Sequence, residues 1–486
     1  MKRLISIILM IALSLGVTAC DRSSANNYSQ YREDGRLILT IWAPDQYAGQ
    51  QVKQQFQGWL DKFNETEELK ALGVYLQFSP MTQLPTSLGT ACLSGPHKMP
   101  DIVVWDRFAT PSNTKLLMPL DDLIAEDGVD VSKFFAEAYD ELTVDGKQYG
   151  LPLDADPWGL YINMDMVEEY NATAAAEDKI DVNDLGTWTK VMDAAEKLTV
   201  RNGDNVTRSG INTTSADGQF FSFVYTGGGE LIDTDKDSPA YGDTVMAEDV
   251  GFLTDAESLR VYDSLAFFNE LYDKNLCNTG HGGTDAFGNG LLGITYGSIY
   301  FPQELSSYNL KNYKMLPYPA RDRTYVNGED KPQVLDPEAT DDLGMKNGQV
   351  GGMLGGYGLV IPQPTNAAMR TQEWKNHVEK AWEVIKLWMM NDEINELYFT
   401  ENKAITCRQD LWENEFYEQD GVMKDILPYL ENYKMRPSVA GYEMFESSIV
   451  RTQIQALREG SLTVFETYKA IREQGNALLR TAQGRG

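Results

Sequence analysis

Leu37-Ile-Leu-Thr-Ile-Trp42, followed after a loop by Val52, Phe56, Trp59, Leu60 and Phe63, decides the fold class. The first segment is a short apolar run, as a parallel strand covered on both faces requires. The five apolar residues after it fall at i, i+4, i+7, i+8 and i+11, which is one face of a helix. Val74-Tyr-Leu-Gln-Phe78 reads as a second strand. After the breakers Gly95-Pro96 and Pro100, Ile102-Val-Val-Trp105 reads as a third. Strand, helix, strand, intervening segment, strand is a doubly wound α/β pattern, with ligand loops expected beyond the carboxyl ends of the strands.

Working outward, Trp188, Val191, Met192, Ala195 and Leu198 make one apolar helix face, and Trp374, Val378, Trp382, Ile385 and Met389 another. Thr254-Asp-Ala-Glu257 has the form of a capping box opening a helix with Leu259, Tyr262, Leu265, Phe268 and Leu271 inward. These stripes are core. Between Pro319 and Gly351 the chain turns polar and acidic without periodicity, which reads as an inserted surface loop or hairpin.

The N-terminus carries Lys2 and Arg3, an apolar run from Leu4 to Leu15, and Val17-Thr18-Ala19-Cys20. That is the order of a secretory signal, too short in its apolar part to span a bilayer. A cysteine directly after small residues resembles a bacterial lipoprotein signal, with cleavage of residues 1–19 and lipid on Cys20. Residues 20–36 then form a polar tether. The formal charge of −30 argues against nucleic acid and against docking on anionic lipid. Cys92, Cys277 and Cys407 suggest neither a disulfide framework nor zinc, and three dispersed histidines give metal catalysis little to build on. No cofactor and no metal are expected. Gly288-Asn-Gly-Leu-Leu-Gly293 matches a dinucleotide fingerprint in form, but no strand precedes it. Asp233, Asp235 and Asp237 have the 1-3-5 spacing of a calcium loop, yet Ser238 stands where the turn glycine belongs, so a hairpin turn is expected.

Pro100-Asp-Ile-Val-Val-Trp-Asp-Arg-Phe108, Met118-Pro-Leu-Asp-Asp-Leu123, Val144-Asp-Gly-Lys-Gln-Tyr-Gly-Leu-Pro-Leu153 and Asp156-Pro-Trp-Gly-Leu-Tyr-Ile-Asn163 follow one another. Thr187-Trp188, Gly227-Gly-Gly-Glu-Leu231, Gly290-Leu-Leu-Gly-Ile-Thr-Tyr-Gly297 and Gly356-Tyr-Gly-Leu-Val-Ile-Pro362 come later. Together with Leu39-Thr-Ile-Trp42, this ordered set resembles the extracellular solute-binding proteins that include maltose-binding protein. The resemblance implies a two-lobed periplasmic-binding-protein-like fold, each lobe a doubly wound sheet, with a hinge between lobes. It places lobe 1 at 37–153 plus about 352–406 and lobe 2 at about 154–351 plus 407–486, with the first crossing at Leu151-Pro-Leu-Asp-Ala155. It also implies binding rather than catalysis: a monomer on the outer face of the cytoplasmic membrane, handing a sugar or oligosaccharide to the permease subunits of an ABC importer. A lipid-anchored glycoside hydrolase, and a polyol, glycerol phosphate or peptide as ligand, remain the alternatives.

A pyranose has an apolar face and a rim of hydroxyls, so it needs a flat aromatic ring and planar side chains with several acceptors or donors. Asp45 and Gln46 lie in the loop after the first strand, and Trp105, Asp106 and Arg107 close the third. The other reading of this trio is that Trp105 ends a buried strand while Asp106 and Arg107 pair on the surface. Asp156 and Trp158 follow the first crossing, where Asp156 matches an acidic sugar ligand of the family, and Asp154 reads equally well as hinge structure. Tyr300 falls where the family places a stacking aromatic, and Tyr357 sits between glycines that leave its ring uncovered. Gln219, Phe220, Arg436 and Tyr442 complete the candidate ligand-binding set, each with a packing role as the alternative.

Overall fold

The computed structural model describes residues 28–485, apart from 45–49, 213–216, 249–254, 279, 326–331 and 341–345. The strand Leu37–Pro44 pairs in parallel with Val74–Met81 on one edge and with Ile102–Asp106 on the other. Tyr357–Val360 and Gly150–Pro152 add two antiparallel strands and complete a five-stranded sheet. Alternation along the third strand shows how both faces are covered. Ile102 and Val104 join a core with Trp59, Leu60 and Trp388, whereas Val103 and Trp105 join another with Leu84, Leu88 and Cys92. Helices Gln50–Asn64 and Gln372–Met390 supply the first of these cores, and Trp59 and Trp388 meet there with ring centroids 4.3 Å apart. Helix Leu84–Ser94 supplies the second.

The second sheet grows from one ten-residue strand, Asp154–Asn163. Ile405–Thr406 meets it at Asp154 and Ala155, Gly352–Gly355 at Asp156 and Pro157, and Leu292–Ser298 from Trp158 to Ile162. Asn205–Ile211 runs parallel to Leu292–Ser298, and Tyr433–Met435 parallel to Gly352–Gly355. A separate core built on Trp188, Phe223 and Phe267 covers this sheet. The protein is thus α/β in two lobes, joined at a hinge.

Gly150–Pro152 belongs to the first sheet and Asp154–Asn163 to the second, so the chain crosses at Leu153. Gly352–Gly355 is still in the second sheet and Tyr357–Val360 in the first, which puts the return at Gly356 rather than near Gly352. Gly356 has φ +136°, and a Cβ there would lie 2.2 Å from the Asp154 carbonyl oxygen. Only glycine tolerates both conditions.

Arg107 fills the space between the crossings and is fully buried. Its Nε donates to Glu141 at 2.8 Å. Nη1 donates to the carbonyls of Asp154 at 2.5 Å and Tyr357 at 2.9 Å, and Nη2 to that of Gly355 at 3.0 Å. Cys407 and Met435 present sulfur to the same two nitrogens. Asp154 is the complement: its carboxylate accepts from the Tyr357 N–H at 2.8 Å and from the Tyr300 and Tyr398 hydroxyls, each at 3.0 Å.

Three other segments differ from expectation or sharpen it. The tether reading reaches to Arg36, but the chain is docked on the first lobe from Tyr28 onward, with Tyr31 bridged to Leu37 and the Ile38 N–H bonded to the Gln30 carbonyl. The acidic stretch after Pro319 does contain a hairpin, Arg323–Thr324 with Gln333–Val334. It is also tied inward, because Arg321 forms a buried ion pair with Asp263. Asp233, Asp235 and Asp237 lie in a turn closed by the Ile232–Thr244 bridge, with carboxylates accepting from nearby backbone N–H groups.

Replacing Arg107 by Met leaves Glu141 buried without its cation and takes the guanidinium donors from the carbonyls of Asp154, Gly355 and Tyr357, of which the last keeps the Leu153 N–H. We expect a loss of about 3–5 kcal/mol in denaturant unfolding, partly restored when Glu141→Gln is added. An R107M protein as stable as wild type refutes the structural role.

Candidate functional site

The strand Asp154–Asn163 sets the geometry of the site through its period of two. Asp154, Asp156 and Trp158 share one face; the hinge takes up the first, and the other two line a cavity of about 390 Å³ between the lobes. Gln55 enters from helix Gln50–Asn64, and Tyr357, Tyr398 and Asn402 from elsewhere on the first lobe. The second lobe contributes Asn212, Tyr296, Ser298, Tyr300, Gln303 and Glu304 besides Asp156 and Trp158. Trp158 and Tyr296 stack at 5.9 Å, nearly parallel. No Lys, Arg or His is among the described residues that line this cavity.

Three oxygens in this lining are buried and have no hydrogen-bond partner among the described residues: Gln55 Oε1, Asp156 Oδ1 and Gln303 Oε1. A protein interior rarely leaves such acceptors orphaned, because each forfeits its hydration without return. Asp156 is pushed up to about 8 by burial and by the neighbouring Asp154 carboxylate, against the opposing pull of the Ser298 hydroxyl and the Ile299 N–H. At neutral pH the group is therefore largely a neutral acid, able to donate one hydrogen bond and accept others.

Tyr357 also borders a smaller cavity of about 190 Å³, whose lining includes Met81, Trp105, Asp106, Phe108 and Glu443. Trp105 is 1% exposed, and its Nε1 has no acceptor. Asp106 does not pair with its neighbour Arg107 but with Arg436, at 2.8 Å. The Arg436 guanidinium lies 3.5 Å from the centroid of the Phe108 ring. Burial raises the Asp106 carboxyl, and Arg436 opposes that.

The structure brings Asp156, Trp158, Tyr300 and Tyr357 to the larger cavity, and Trp105, Asp106 and Tyr357 to the smaller. Arg107 is corrected to a hinge residue, since all its N–H groups face acceptors within the protein. Phe220 and Tyr442 are fully buried in the second-lobe core. Gln219 is 1% exposed and donates to the Asn212 carbonyl at 2.8 Å, which makes it a support for a lining residue. Asp45 and Gln46 lie outside the described residues, as does Cys20. Gln55, Asn212, Tyr296, Gln303 and Tyr398 were not singled out by sequence. Gln55 follows Val52 by three positions and precedes Trp59 by four, so its place beside the apolar helix face was the available signal.

A family model described as bacterial extracellular solute-binding protein matches residues 48–290, half of the chain. The chain belongs to this family. No match is found among curated proteins. Solved structures similar to this solute-binding protein include an ABC transporter solute-binding protein from Thermotoga lettingae bound with α-D-tagatose. It is 20% identical with a TM-score of 0.64, covering 91% of this chain and 99% of the other. The GacH receptor of Streptomyces glaucescens, solved unliganded and with acarbose, is 16% identical with a TM-score of 0.67, covering 91% and 98%. Maltose-bound MalE3 of T. maritima is 16% identical with a TM-score of 0.64, covering 91% and 100%. At these identities the likeness is one of fold.

Asp156 sets a pH dependence whose sign follows from its raised value. Unfolded, the carboxyl titrates near 3.8; folded, near 8. Between those values the folded protein holds a proton that the unfolded chain has released, so stability falls as pH rises from about 4 to about 8, by an order of 4 kcal/mol at neutral pH. Asp156→Asn removes this loss. The stability gap between variant and wild type should widen from pH 4 to pH 8 in denaturant titrations; parallel curves would contradict the assignment.

Proposed function

We propose that this solute-binding protein captures a neutral saccharide in the larger interlobe cavity and delivers it to an ABC importer, while lipid on Cys20 holds it at the outer face of the cytoplasmic membrane. The observation that carries the reading is the coincidence, in one cavity, of three buried side-chain oxygens without a partner among the described residues, those of Gln55, Asp156 and Gln303, with the rings of Trp158, Tyr296, Tyr300 and Tyr357. Sugar hydroxyls, which both donate and accept, match the oxygens, and the C–H faces of the sugar match the rings. The lack of a cation among the described lining residues disfavours a phosphate or carboxylate ligand. In this reading Asp156, Trp158, Tyr300, Tyr357, Gln55 and Gln303 contact the ligand directly. The smaller cavity at Trp105 and Asp106 continues the same cleft. The sugars named with the similar structures, tagatose, acarbose and maltose, are in keeping with this class of ligand.

Asp154 accepts from three donors at the hinge, so it serves the crossing rather than a hydrolytic carboxylate pair. The lobes supply ligand contacts from both sides, so ligand favours closure through those contacts alone.

Calorimetry with a panel of mono- and oligosaccharides tests the ligand class. We expect binding that barely changes with salt and a loss of about 1–3 kcal/mol for Trp158→Ala. Affinity that collapses with salt points instead to a charged ligand, and release of reducing sugar points to an enzyme. Cys20→Ser should free the protein from membranes, because acyl chains are its proposed hold. Persistence of that variant in salt-washed membranes excludes the anchor.

A further inference from the structure

Gln303 lies on the second lobe, in the short helix Phe301–Glu304. It lines both the larger cavity and a neighbouring one of about 630 Å³, whose wall also includes Gln55 and Lys403 of the first lobe. Its backbone is fixed: the N–H donates to the Tyr300 carbonyl at 3.0 Å, and the carbonyl accepts from the Ser306 hydroxyl at 2.6 Å. Tyr300 is itself held to Asp154 at the hinge. The Gln303 side chain is buried, and Nε2 donates across to the first lobe, to the Asn402 carbonyl at 3.1 Å. Asn402 ends the helix Asp392–Asn402, where Lys403 turns the chain at φ +56°. The last carbonyls of a helix find no donor within it. Here the N–H groups of Lys403 and Ala404 both go to the Phe399 carbonyl and the Asn402 amide to that of Tyr398, while the second lobe supplies the donor for Asn402. A carbonyl can accept but not donate, so this contact fixes which way round the Gln303 amide stands. Nε2 points to Asn402, and Oε1 is left as an acceptor without a partner among the described residues.

We propose that Gln303 couples ligand capture to lobe closure: Nε2 latches the second lobe to the first, and Oε1 accepts from a hydroxyl of the saccharide. This rests on the saccharide reading above. The two bonds belong to one conjugated amide, so donation to Oε1 draws electron density from the nitrogen and strengthens its N–H as a donor. The sugar also fixes the rotamer that the latch needs, which removes an entropy cost that closure would otherwise carry. The latch runs from one lobe to the other and breaks when they part, so its gain in strength belongs to the closed state alone. That is the difference in contact between two states through which a ligand shifts their balance.

The test measures the distance between spin labels at Glu68→Cys on the first lobe and Glu177→Cys on the second, both exposed positions, in the full chain with Cys20→Ser and Cys277→Ser. Three substitutions separate the two halves of the amide: Gln303→Met removes donor and acceptor, Gln303→Glu keeps acceptors, and Gln303→Lys keeps a donor. Without sugar, we expect Gln303→Met and Gln303→Glu to lower the closed-to-open ratio about 2- to 10-fold, as loss of one hydrogen bond does, and Gln303→Lys to lower it less. Maltose, as the probe, should then close the wild type further than it closes Gln303→Lys. A side chain that merely fills space gives no such order. Equal distances in wild type and Gln303→Met without sugar overturn the latch. Equal closure of wild type and Gln303→Lys by maltose, or a wild-type distance that maltose leaves unchanged, overturns the coupling and not the latch. Calorimetry with the sugar panel decides the saccharide reading on its own.

Discussion

One buried guanidinium holds the two lobes in register. Arg107 sits where the crossings converge, and its donors go to Glu141, Asp154, Gly355 and Tyr357, which belong to separate stretches of chain. Two crossings in which neighbouring residues belong to different sheets bring the carbonyls of Asp154, Gly355 and Tyr357 together in a buried junction. A buried carbonyl left without a donor costs on the order of 1–3 kcal/mol. A planar cation with five donors satisfies them together, and Lys has neither the fork nor the number. Gly356 is the backbone counterpart of this solution, because any side chain there would occupy the space of the guanidinium.

Asp154 completes the junction and thereby places the site. By accepting from Tyr300 of the second lobe and Tyr398 of the first, it brings two rings to the cavity wall with their hydroxyls already engaged. Those rings offer faces rather than hydrogen bonds. The next residue on the same strand face, Asp156, sits beside the Asp154 charge in a water-poor position and keeps its proton. Hinge and cavity are therefore one construction: the groups that fix the crossing also set the polarity of the wall.

The fold was legible to the extent that burial follows period. The apolar spacing from Leu37 to Phe63, and the run Ile102–Trp105, predicts strands and a helix that the structure contains. The first crossing at Leu151–Ala155 comes from the resemblance rather than from any local signal, and the change of sheet at Leu153 falls within it. The return at Gly356 was placed too early because Gly351, Gly352, Gly355 and Gly356 are alike in sequence, and only the approach of Asp154 and Arg107 tells them apart. Arg107 was misread for a related reason. A charged residue ending a parallel strand suits a ligand and suits a hinge, and its acceptors lie up to 250 positions away along the chain. Asp156 and Trp158 enter the candidate set through the resemblance, as residues that follow the first crossing, and the two-residue period of the strand then explains why both line the same wall. Gln55 was missed because a polar residue beside an apolar helix face ordinarily meets water, and here it meets the other lobe.

The ion pair between Asp106 and Arg436 shows what such a cleft asks of its charges. Asp106 ends a first-lobe strand, and Arg436 follows a second-sheet strand and lies on the Phe108 ring. Both groups lose hydration to meet, and for buried pairs that loss roughly offsets the Coulomb attraction. The pair therefore sets register across the cleft more than it drives the lobes together. In the reading proposed above, ligand contact drives closure, and the buried oxygens of Gln55, Asp156 and Gln303 are the groups that gain from it. Each lacks a partner among the described residues, and the three stand on walls that belong to both lobes. A cavity whose own polar groups were all satisfied would be more stable and would have less free energy to gain from its ligand.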